Sequence, residues 1–334
     1  MTRKFILHIG PAKTGTSSLQ ETLFEHREQL LGHGFDFPVF GRHQKMPQLP
    51  GHHGLPVLLR QQPGLPDEML ETLVQIPDDR TVIFSSENLA DIDGSQVRGL
   101  MASLQPDEIQ VVYYARSWGQ LLPSVWQELV KHGEKRPYLE FLNRQISAPM
   151  ATHYLNYMIV LDRWAQVVGK QNIRIFSYDN IRAAGQDIVQ HFCAEVLKIP
   201  NETVASRQDN PRQPPGRTET VRQLNNLYFK TKPPGPQVRH RLDQHQETVT
   251  AELAALEEIY QPYMAKAPIC APFVFANIER QVLKLYGTRV ENLSEDGRLF
   301  QNNSVQTAPY VRQDYLMEPG VPELFRSLLS KLGL

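Results

Sequence analysis

Short apolar segments of strand length recur along the chain, and helical patterns lie between them. The segments are KFILHI (4–9), TVIFSS (81–86), IQVVYYA (109–115) and NIRIFSY (172–178). Continuous apolar runs of this length are typical of strands that are buried on both faces of a parallel sheet. Strands that alternate with helices predict an α/β fold, in which a doubly wound parallel sheet is covered by helices.

Helical periodicity follows the first and third apolar segments and precedes the fourth. Apolar residues three and four positions apart mark one face of each predicted helix. These faces comprise Leu19, Leu23, Leu30 and Leu31 in the first helix, Trp118, Leu121, Leu122, Val125, Trp126 and Leu129 in the second, and Tyr154, Tyr157, Met158, Leu161, Trp164 and Val168 in the third.

Regions rich in proline and glycine interrupt this pattern. Residues 38–66 predict a long loop of the kind that often lines a site. Two proline-rich segments, 210–217 and 232–237, mark the end of the part that builds the sheet. We therefore predict a core at 1–200 and a mostly helical C-terminal extension at 201–334, packed on that core as one continuous domain.

Composition and charge exclude several classes of protein. A hydrophobic fraction of 41% in 334 residues supports a sizeable core. With 35 basic and 36 acidic residues, the net charge of −1 favours neither nucleic acid nor a membrane surface as a partner. The apolar run at 5–9 is too short for a signal peptide, and no segment approaches the ~20 apolar residues of a membrane span. We therefore expect a cytoplasmic protein. We also expect no metal site, because Cys193 and Cys270 lack metal-ligand spacing.

The segment GPAKTGTSSLQ (10–20) follows the first predicted strand and opens the first predicted helix. Gly10 and Gly15 have the spacing of a phosphate-binding loop, and Ser17 stands where such loops carry serine or threonine. A strand, a glycine turn and a helix aim backbone N–H groups and the helix dipole at an anion. Nucleoside-triphosphate loops place lysine directly before that hydroxyl residue, where this chain has Thr16. The displaced lysine, Lys13, therefore argues against a γ-phosphate and its magnesium.

The loop resembles the 5′-phosphosulfate loop of sulfotransferases that use 3′-phosphoadenosine-5′-phosphosulfate (PAPS) as donor, in particular their bacterial members. The resemblance covers about residues 4 to 200 and implies a P-loop-like strand–loop–helix. It implies that the donor is bound by Lys13, Thr14, Gly15, Thr16 and Ser17.

A second motif of the same family follows a strand and consists of an arginine and a serine eight residues later. The segment YYARSWGQLLPSVWQ provides Arg116 and Ser124 at that spacing, although Trp126 replaces the usual tyrosine. An arginine at the end of a strand offers a planar fork to a phosphate, and a serine two helical turns on lies on the same side of its helix. The resemblance implies that both residues bind the 3′-phosphate of the donor.

Sulfuryl transfer also needs a cation near the departing phosphate and a base for the acceptor hydroxyl. The resemblance implies that Lys13 is the cation. Glu87 lies just beyond a predicted strand, where open α/β sheets bind ligands, and is the first candidate for the base. His52 and His53, in the 38–66 loop, are alternatives, and a fourth possibility is that none of the three is the base.

These observations predict a PAPS-dependent sulfotransferase whose acceptor is a small molecule or carbohydrate, with carbohydrate or other alcohol hydroxyls favoured by analogy. One alternative is a P-loop small-molecule kinase that uses ATP and magnesium. Another is a non-enzymatic nucleotide-binding protein. The sequence predicts neither the acceptor's identity nor the oligomeric state.

Overall fold

The computed structural model describes residues 3–43, 46, 48–200, 213–230, 234–268, 272–300 and 307–334. Contacts between residues divide the chain into two compact units. The first comprises Met1–Ser117, Met150–Asp209 and Phe273–Asn303, and the second comprises Trp118–Pro149, Asn210–Pro272 and Ser304–Leu334. The sequence-based division after residue 200, into a core and a C-terminal extension, stays a prediction.

The first unit is built on a five-stranded sheet whose neighbouring strands all pair in parallel. In chain order the strands are β1 (Lys4–His8), β2 (Phe35–Asp36), β3 (Thr81–Ser85), β4 (Glu108–Ala115) and β5 (Ile173–Ser177). Their spatial order is β2-β3-β1-β4-β5. Four of the five are the apolar segments that the sequence predicts, because their side chains are buried on both faces of the sheet.

Helices make up most of the remaining described structure. In chain order they are α1 (Thr16–Glu25), α2 (Arg27–Leu31), α3 (Gly54–Leu59), α4 (Asp67–Val74), α5 (Gly94–Leu104), α6 (Trp118–Lys131), α7 (Tyr138–Ser147), α8 (Met158–Val168), α9 (Tyr178–Ala183), α10 (Ile188–His191), α11 (Pro215–Tyr228), α12 (Gln237–Gln244), α13 (Thr250–Tyr260), α14 (Pro272–Tyr286) and α15 (Val321–Lys331). Shorter 3₁₀ turns and a π-helix at Phe192–Leu197 connect some of them.

Helices cover both faces of the parallel sheet. On one face, α1, α2, α9 and α10 bury an apolar cluster that includes Ile6, Leu23, Val112 and Phe176. Helices α5 and α8 pack against each other, and α8 contacts β5; neither helix contributes to that cluster. They therefore cover the opposite face. The predicted α/β fold with a doubly wound parallel sheet and a helical C-terminal region is confirmed.

The second unit contains a buried network of polar side chains on α11. Arg222 and Glu219 form an ion pair of 2.6 Å and are each almost fully buried. The amide oxygen of Gln313 accepts from Arg222 at 2.7 Å, and the Tyr315 hydroxyl donates to Glu219 at 2.7 Å. A buried charge is tolerated only when it is paired and hydrogen-bonded, and this network meets that requirement.

Several elements differ from the sequence prediction. The two-residue strand β2 was not predicted, and α3 lies inside the predicted 38–66 loop. An antiparallel pair, β6 (Met264–Pro268) and β7 (Thr307–Val311), lies in the C-terminal region that sequence patterns describe as mostly helical. The helix expected from Tyr154 begins at Met158. Part of the proline-rich segment 210–217 lies outside the described residues.

Candidate functional site

The candidate site lies at the carboxyl edge of the parallel sheet. Strand β1 stands between β3 and β4, so the chain connections diverge to its two sides. In open α/β sheets, ligands bind outside the carboxyl ends of the strands at such a switch point. The residues that follow these three strands are the 10–15 loop, Glu87 and Arg116. The sheet topology thus brings the sequence-predicted residues of the first unit to one edge.

The glycine loop has left-handed backbone angles at three positions. The φ values are +94° at Gly10, +71° at Lys13 and +76° at Gly15. The buried Thr14 hydroxyl donates to the carbonyl of Pro11 at 2.8 Å and closes the loop on itself. Helix α1 follows with Gly15 as its N-cap residue, and its first-turn N–H groups face the loop as at any helix N-terminus. This arrangement is suited to an anion.

The other loop residues differ in exposure. Thr16 is buried at the start of α1, whereas Ser17 is exposed, and Lys13 is partly exposed. The loop therefore presents a cation and a hydroxyl on its outer side, while the side chains of Thr14 and Thr16 are buried.

Gly10 passes very close to Glu87. A Cβ atom at Gly10 would stand 3.0 Å from both Cα and Cβ of Glu87, closer than ordinary contacts allow. The absence of a side chain therefore lets the loop after β1 approach the residue that follows β3.

Arg116 is held against the glycine loop. Its Nη1 donates to the carbonyl oxygen of Lys13, and its guanidinium lies 5.1 Å from the centre of the Tyr178 ring. The carbonyl of Arg116 accepts from the Tyr157 hydroxyl. Among the described residues, Arg116 Nε is buried and has no hydrogen-bond partner. A fixed guanidinium with an unpaired N–H is suited to an additional anionic oxygen.

The residue after Arg116 is fixed as well. The carboxylate of Asp179 accepts from Ser117 twice, from the backbone N–H at 2.6 Å and from the hydroxyl at 2.8 Å. Ser124 lies on α6, in the second unit, where its hydroxyl donates to the carbonyl of Gln120 at 2.9 Å. Its role toward a 3′-phosphate stays a prediction from the sequence motif.

Glu87 is the first residue of the 3₁₀ turn that follows β3, and its side chain is 21% exposed. Its Oε2 accepts from the amide of Gln20 at 2.9 Å, and His53 Nδ1 lies 4.0 Å from the same oxygen. Among the described residues, no partner contacts Oε1 by a hydrogen bond. The carboxylate is thus fixed at one oxygen and open at the other, which is the geometry a general base needs.

The two candidate histidines of the 38–66 segment have different surroundings. His52 is fully buried, and both ring nitrogens are occupied, Nδ1 by the Ser85 N–H at 3.1 Å and Nε2 by the Pro38 carbonyl at 2.9 Å. Burial lowers the pKa of His52 to about 3. Burial also lowers the pKa of His53, against the opposing effect of the Glu87 carboxylate. Both rings are therefore neutral near pH 7, and His52 has no ring nitrogen left for an acceptor.

Sequence reasoning missed three side chains of this site, namely Gln20, Ser86 and Tyr157. Gln20 is almost fully buried on α1 beside Leu19 and Leu23. A polar residue on the apolar face of a helix was the available signal, because a buried polar side chain must find hydrogen-bond partners. The Ser86 hydroxyl lies 3.1 Å from His53 Nδ1, and the Tyr157 hydroxyl donates to the Arg116 carbonyl. Both contacts join distant segments, and no local pattern marks them.

Comparison with known proteins gives little further information. No protein-family model and no curated protein matches the chain. Among solved structures, the chain is similar to a sulfotransferase from Alicyclobacillus acidocaldarius at 15% sequence identity and a TM-score of 0.41, covering 69% of this chain and 92% of the other. The identity and the TM-score are both too low to carry conclusions about the activity of this chain.

Within the described ranges, no group of three or more histidine, cysteine, aspartate or glutamate side chains is arranged to hold a metal ion. No helix within those same residues combines the length and the apolar character that crossing a membrane requires.

Proposed function

We propose that this chain is a sulfotransferase that moves the sulfuryl group of PAPS to a hydroxyl group of an acceptor. The observation that carries the proposal is that Lys13, Arg116 and Glu87 come from three separate segments and meet around one glycine loop. A cation, an anion-binding arginine and an open carboxylate oxygen are the three groups that this reaction requires of a protein.

In the proposed reaction, the acceptor oxygen attacks sulfur in line with the bond between sulfur and the bridging oxygen of the 5′-phosphosulfate. As that bond breaks, its electron pair stays on the bridging oxygen, which becomes part of the 5′-phosphate of adenosine 3′,5′-bisphosphate. The proton of the acceptor hydroxyl passes to Oε1 of Glu87. Lys13 stabilises the charge that grows on the bridging oxygen, so it favours the transition state over the bound donor.

The glycine loop and Arg116 each bind one of the donor's two anionic groups. The N–H groups of the first turn of α1, with Thr14, Gly15, Thr16 and Ser17, bind the 5′-phosphosulfate. Arg116 binds the 3′-phosphate through the N–H that has no partner among the described residues. The proposal that Ser124 is a second hydrogen-bond donor to that phosphate rests on the sequence motif alone.

A P-loop kinase and a non-enzymatic nucleotide-binding protein are the competing functions. The kinase would require lysine at the position of Thr16 and a magnesium ion. The binding protein would retain the loop without turnover. We propose an alcohol hydroxyl as the acceptor, in a carbohydrate or another small molecule, because a carboxylate base assisted by a nearby leaving-group cation suits such hydroxyls in the analogous enzymes.

Calorimetry with adenosine 3′,5′-bisphosphate in the absence of magnesium tests the donor assignment. We expect binding of the bisphosphate to exceed that of AMP by roughly ten- to a hundredfold, because each charge-assisted hydrogen bond contributes about 1.5–3 kcal/mol. Arg116→Ala should remove most of this preference. Transfer of labelled sulfuryl groups to a panel of alcohols then tests turnover.

Two results would redirect the proposal. Binding of ATP with magnesium but not of the bisphosphate would identify a kinase. Tight binding of the bisphosphate and of PAPS without transfer to any acceptor, and without slow hydrolysis of PAPS, would indicate the binding protein.

A further inference from the structure

Gln20 joins the two titratable side chains that lie beside the loop. Its side-chain Nε2 donates to Oε2 of Glu87 at 2.9 Å, and its Oε1 lies 3.2 Å from Nε2 of His53. The Gln20 side chain is almost fully buried, so water does not compete for either contact. Gln20 is also only five positions beyond Gly15, on the helix that the anion-binding loop opens.

The chemistry of the three groups fixes the direction of each hydrogen bond. An ionised carboxylate only accepts, so the Gln20 amide must turn its NH₂ group to Glu87 and its oxygen to His53. His53 must therefore carry its proton on Nε2. Its Nδ1 then accepts from the hydroxyl of Ser86, which lies 3.1 Å away. The chain of donors runs from Ser86 through His53 and Gln20 and ends at Glu87.

Gly51 provides the space for this arrangement. A Cβ atom there would stand 2.4 Å from Gln20 Oε1 and 2.7 Å from His53 Nε2, the two atoms of the hydrogen bond. The backbone of Gly51 is not in the left-handed region, so this restriction is one of space alone. A side chain at residue 51 would therefore displace the Gln20 amide or the His53 ring from this hydrogen bond.

We propose that Gln20 is a positioning residue that orients Glu87 and holds His53 as the neutral Nε2–H tautomer. By binding Oε2, Gln20 turns Oε1 toward the acceptor and prevents the carboxylate from rotating. This inference rests on the proposed role of Glu87 as general base. His53 faces Glu87, and His43 is the other titratable group that acts on His53. Because the His53 ring is neutral, it places no positive charge beside the base.

Two variants of Gln20 separate positioning from simple packing. Gln20→Met keeps the length and apolar contacts but removes both hydrogen bonds, and we expect kcat to fall by about 10- to 100-fold, because small misplacements of a catalytic group have effects of this size. The affinity for adenosine 3′,5′-bisphosphate should stay within about twofold. Gln29→Met, at an exposed position of α2, is the matched control and should behave as wild type.

Gln20→Glu replaces the amide by a second carboxylate directly opposite Glu87. Like charges at this distance favour the protonated form, so the acid limb of the pH profile of kcat/KM should move up by about one pH unit or more. An acid limb that stays in place would mean that position 20 does not lie beside the catalytic base, and it would overturn the inference. Gly51→Ala should lower kcat in the same direction as Gln20→Met, because the new methyl group displaces Gln20 Oε1 and His53 Nε2 from each other.

Nitrogen-15 NMR of the histidine rings gives a readout that does not require activity. Wild type should show the His53 ring as the neutral Nε2–H tautomer at pH 7, assigned by its loss in His53→Asn, and Gln20→Met should abolish the preference. A wild-type tautomer protonated on Nδ1, or an unchanged kcat and pH profile in Gln20→Met, overturns the inference. If the tautomer is as expected but wild type transfers no sulfuryl group, the proposed function fails, and the catalytic part of this inference fails with it.

Discussion

Lys13 carries two separate roles at the scale of the residue. Its backbone adopts a left-handed conformation that costs a residue with a side chain about 1–2 kcal/mol. In that conformation its carbonyl accepts the hydrogen bond from Arg116. Replacing the side chain leaves the carbonyl in place, so a substitution at Lys13 tests the ammonium group without removing the support of Arg116.

Lys13→Ala should lower kcat by about 10²–10³-fold, the usual effect of removing one group that stabilises the developing charge. The dissociation constant of adenosine 3′,5′-bisphosphate should rise by less than about tenfold, because the cation acts mainly on the transition state. Single-turnover kinetics with PAPS and calorimetry with the bisphosphate measure the two quantities. Glu87→Gln is the useful comparison. It should lose turnover to a similar extent but keep its affinity for the bisphosphate, because the base faces the acceptor.

Lys198→Ala is the matched control for this experiment. Lys198 also has a positive φ, +58°, and its side chain is 64% exposed in an ion pair with Glu195. Its substitution should leave kcat unchanged. Equal losses in kcat and in bisphosphate affinity for Lys13→Ala would contradict the transition-state role and make Lys13 a residue for ground-state binding.

At the scale of the element, the loop after β1 and the turn after β3 are in contact through Gly10. Gly10→Ala should displace the loop from Glu87, because the new methyl group would stand 3.0 Å from two atoms of that residue. We expect both a weaker affinity for the bisphosphate and a lower kcat, measured by calorimetry and by sulfuryl transfer. The φ of +94° adds backbone strain to this steric conflict.

Gly34→Ala is the control that separates the steric conflict at Gly10 from the backbone strain. Gly34 has a φ of +81° and open space where a Cβ atom would lie, so its substitution introduces similar backbone strain away from the loop. It should lower thermal stability without changing bisphosphate affinity. If Gly10→Ala and Gly34→Ala lose only stability, and to the same extent, the close approach of the loop to Glu87 has no functional role.

The strands that the sequence predicted are those whose burial makes their apolar pattern nearly continuous. Strands β1, β3, β4 and β5 are largely buried on both faces, so they appear as mostly apolar runs, interrupted only at Gln110 in β4 and Arg174 in β5. Strand β2 has only two residues, and β6 is largely exposed, so neither carries a periodic signal. Pairing of β6 with β7 connects residues about forty positions apart, which local patterns do not indicate.

The residues of the candidate site differ in the same way, because only some of them are marked by a local sequence feature. The glycine spacing and the arginine after a strand are local features, so the sequence predicted the loop and Arg116. The hydrogen bonds of Gln20 to His53 and to Glu87 span 33 and 67 positions. They depend on the spatial order of the strands and on the space at Gly51, and neither is visible in a local pattern.

At the scale of the whole molecule, three of the histidines that the first unit buries, His8, His52 and His191, have strongly lowered pKa values and are neutral in the folded state. Burial lowers the pKa of His8 and of His52 to about 3, and that of His191 to about 4. In the unfolded chain these rings return to a pKa near 6.5. Below that pH the unfolded chain therefore binds protons that the folded unit does not, and the free energy of unfolding falls as the pH falls.

Each of these histidines should lower the free energy of unfolding by about 1.4 kcal/mol per pH unit between pH 6.5 and its folded pKa. Urea unfolding at pH 7.0 and at pH 5.0, followed by circular dichroism, measures the difference. His8→Phe should make it smaller by the contribution of one proton, because it removes one titrating ring. The new ring keeps the edge-on contacts with Tyr114 and Phe192, and the contact of His8 Nδ1 with the Ser85 hydroxyl at 2.7 Å is lost at both pH values. His33→Phe, at an exposed position just after α2, is the control and should leave the difference unchanged. An identical pH dependence in wild type and His8→Phe would mean that His8 takes up its proton without unfolding, through local opening at the carboxyl edge of the sheet.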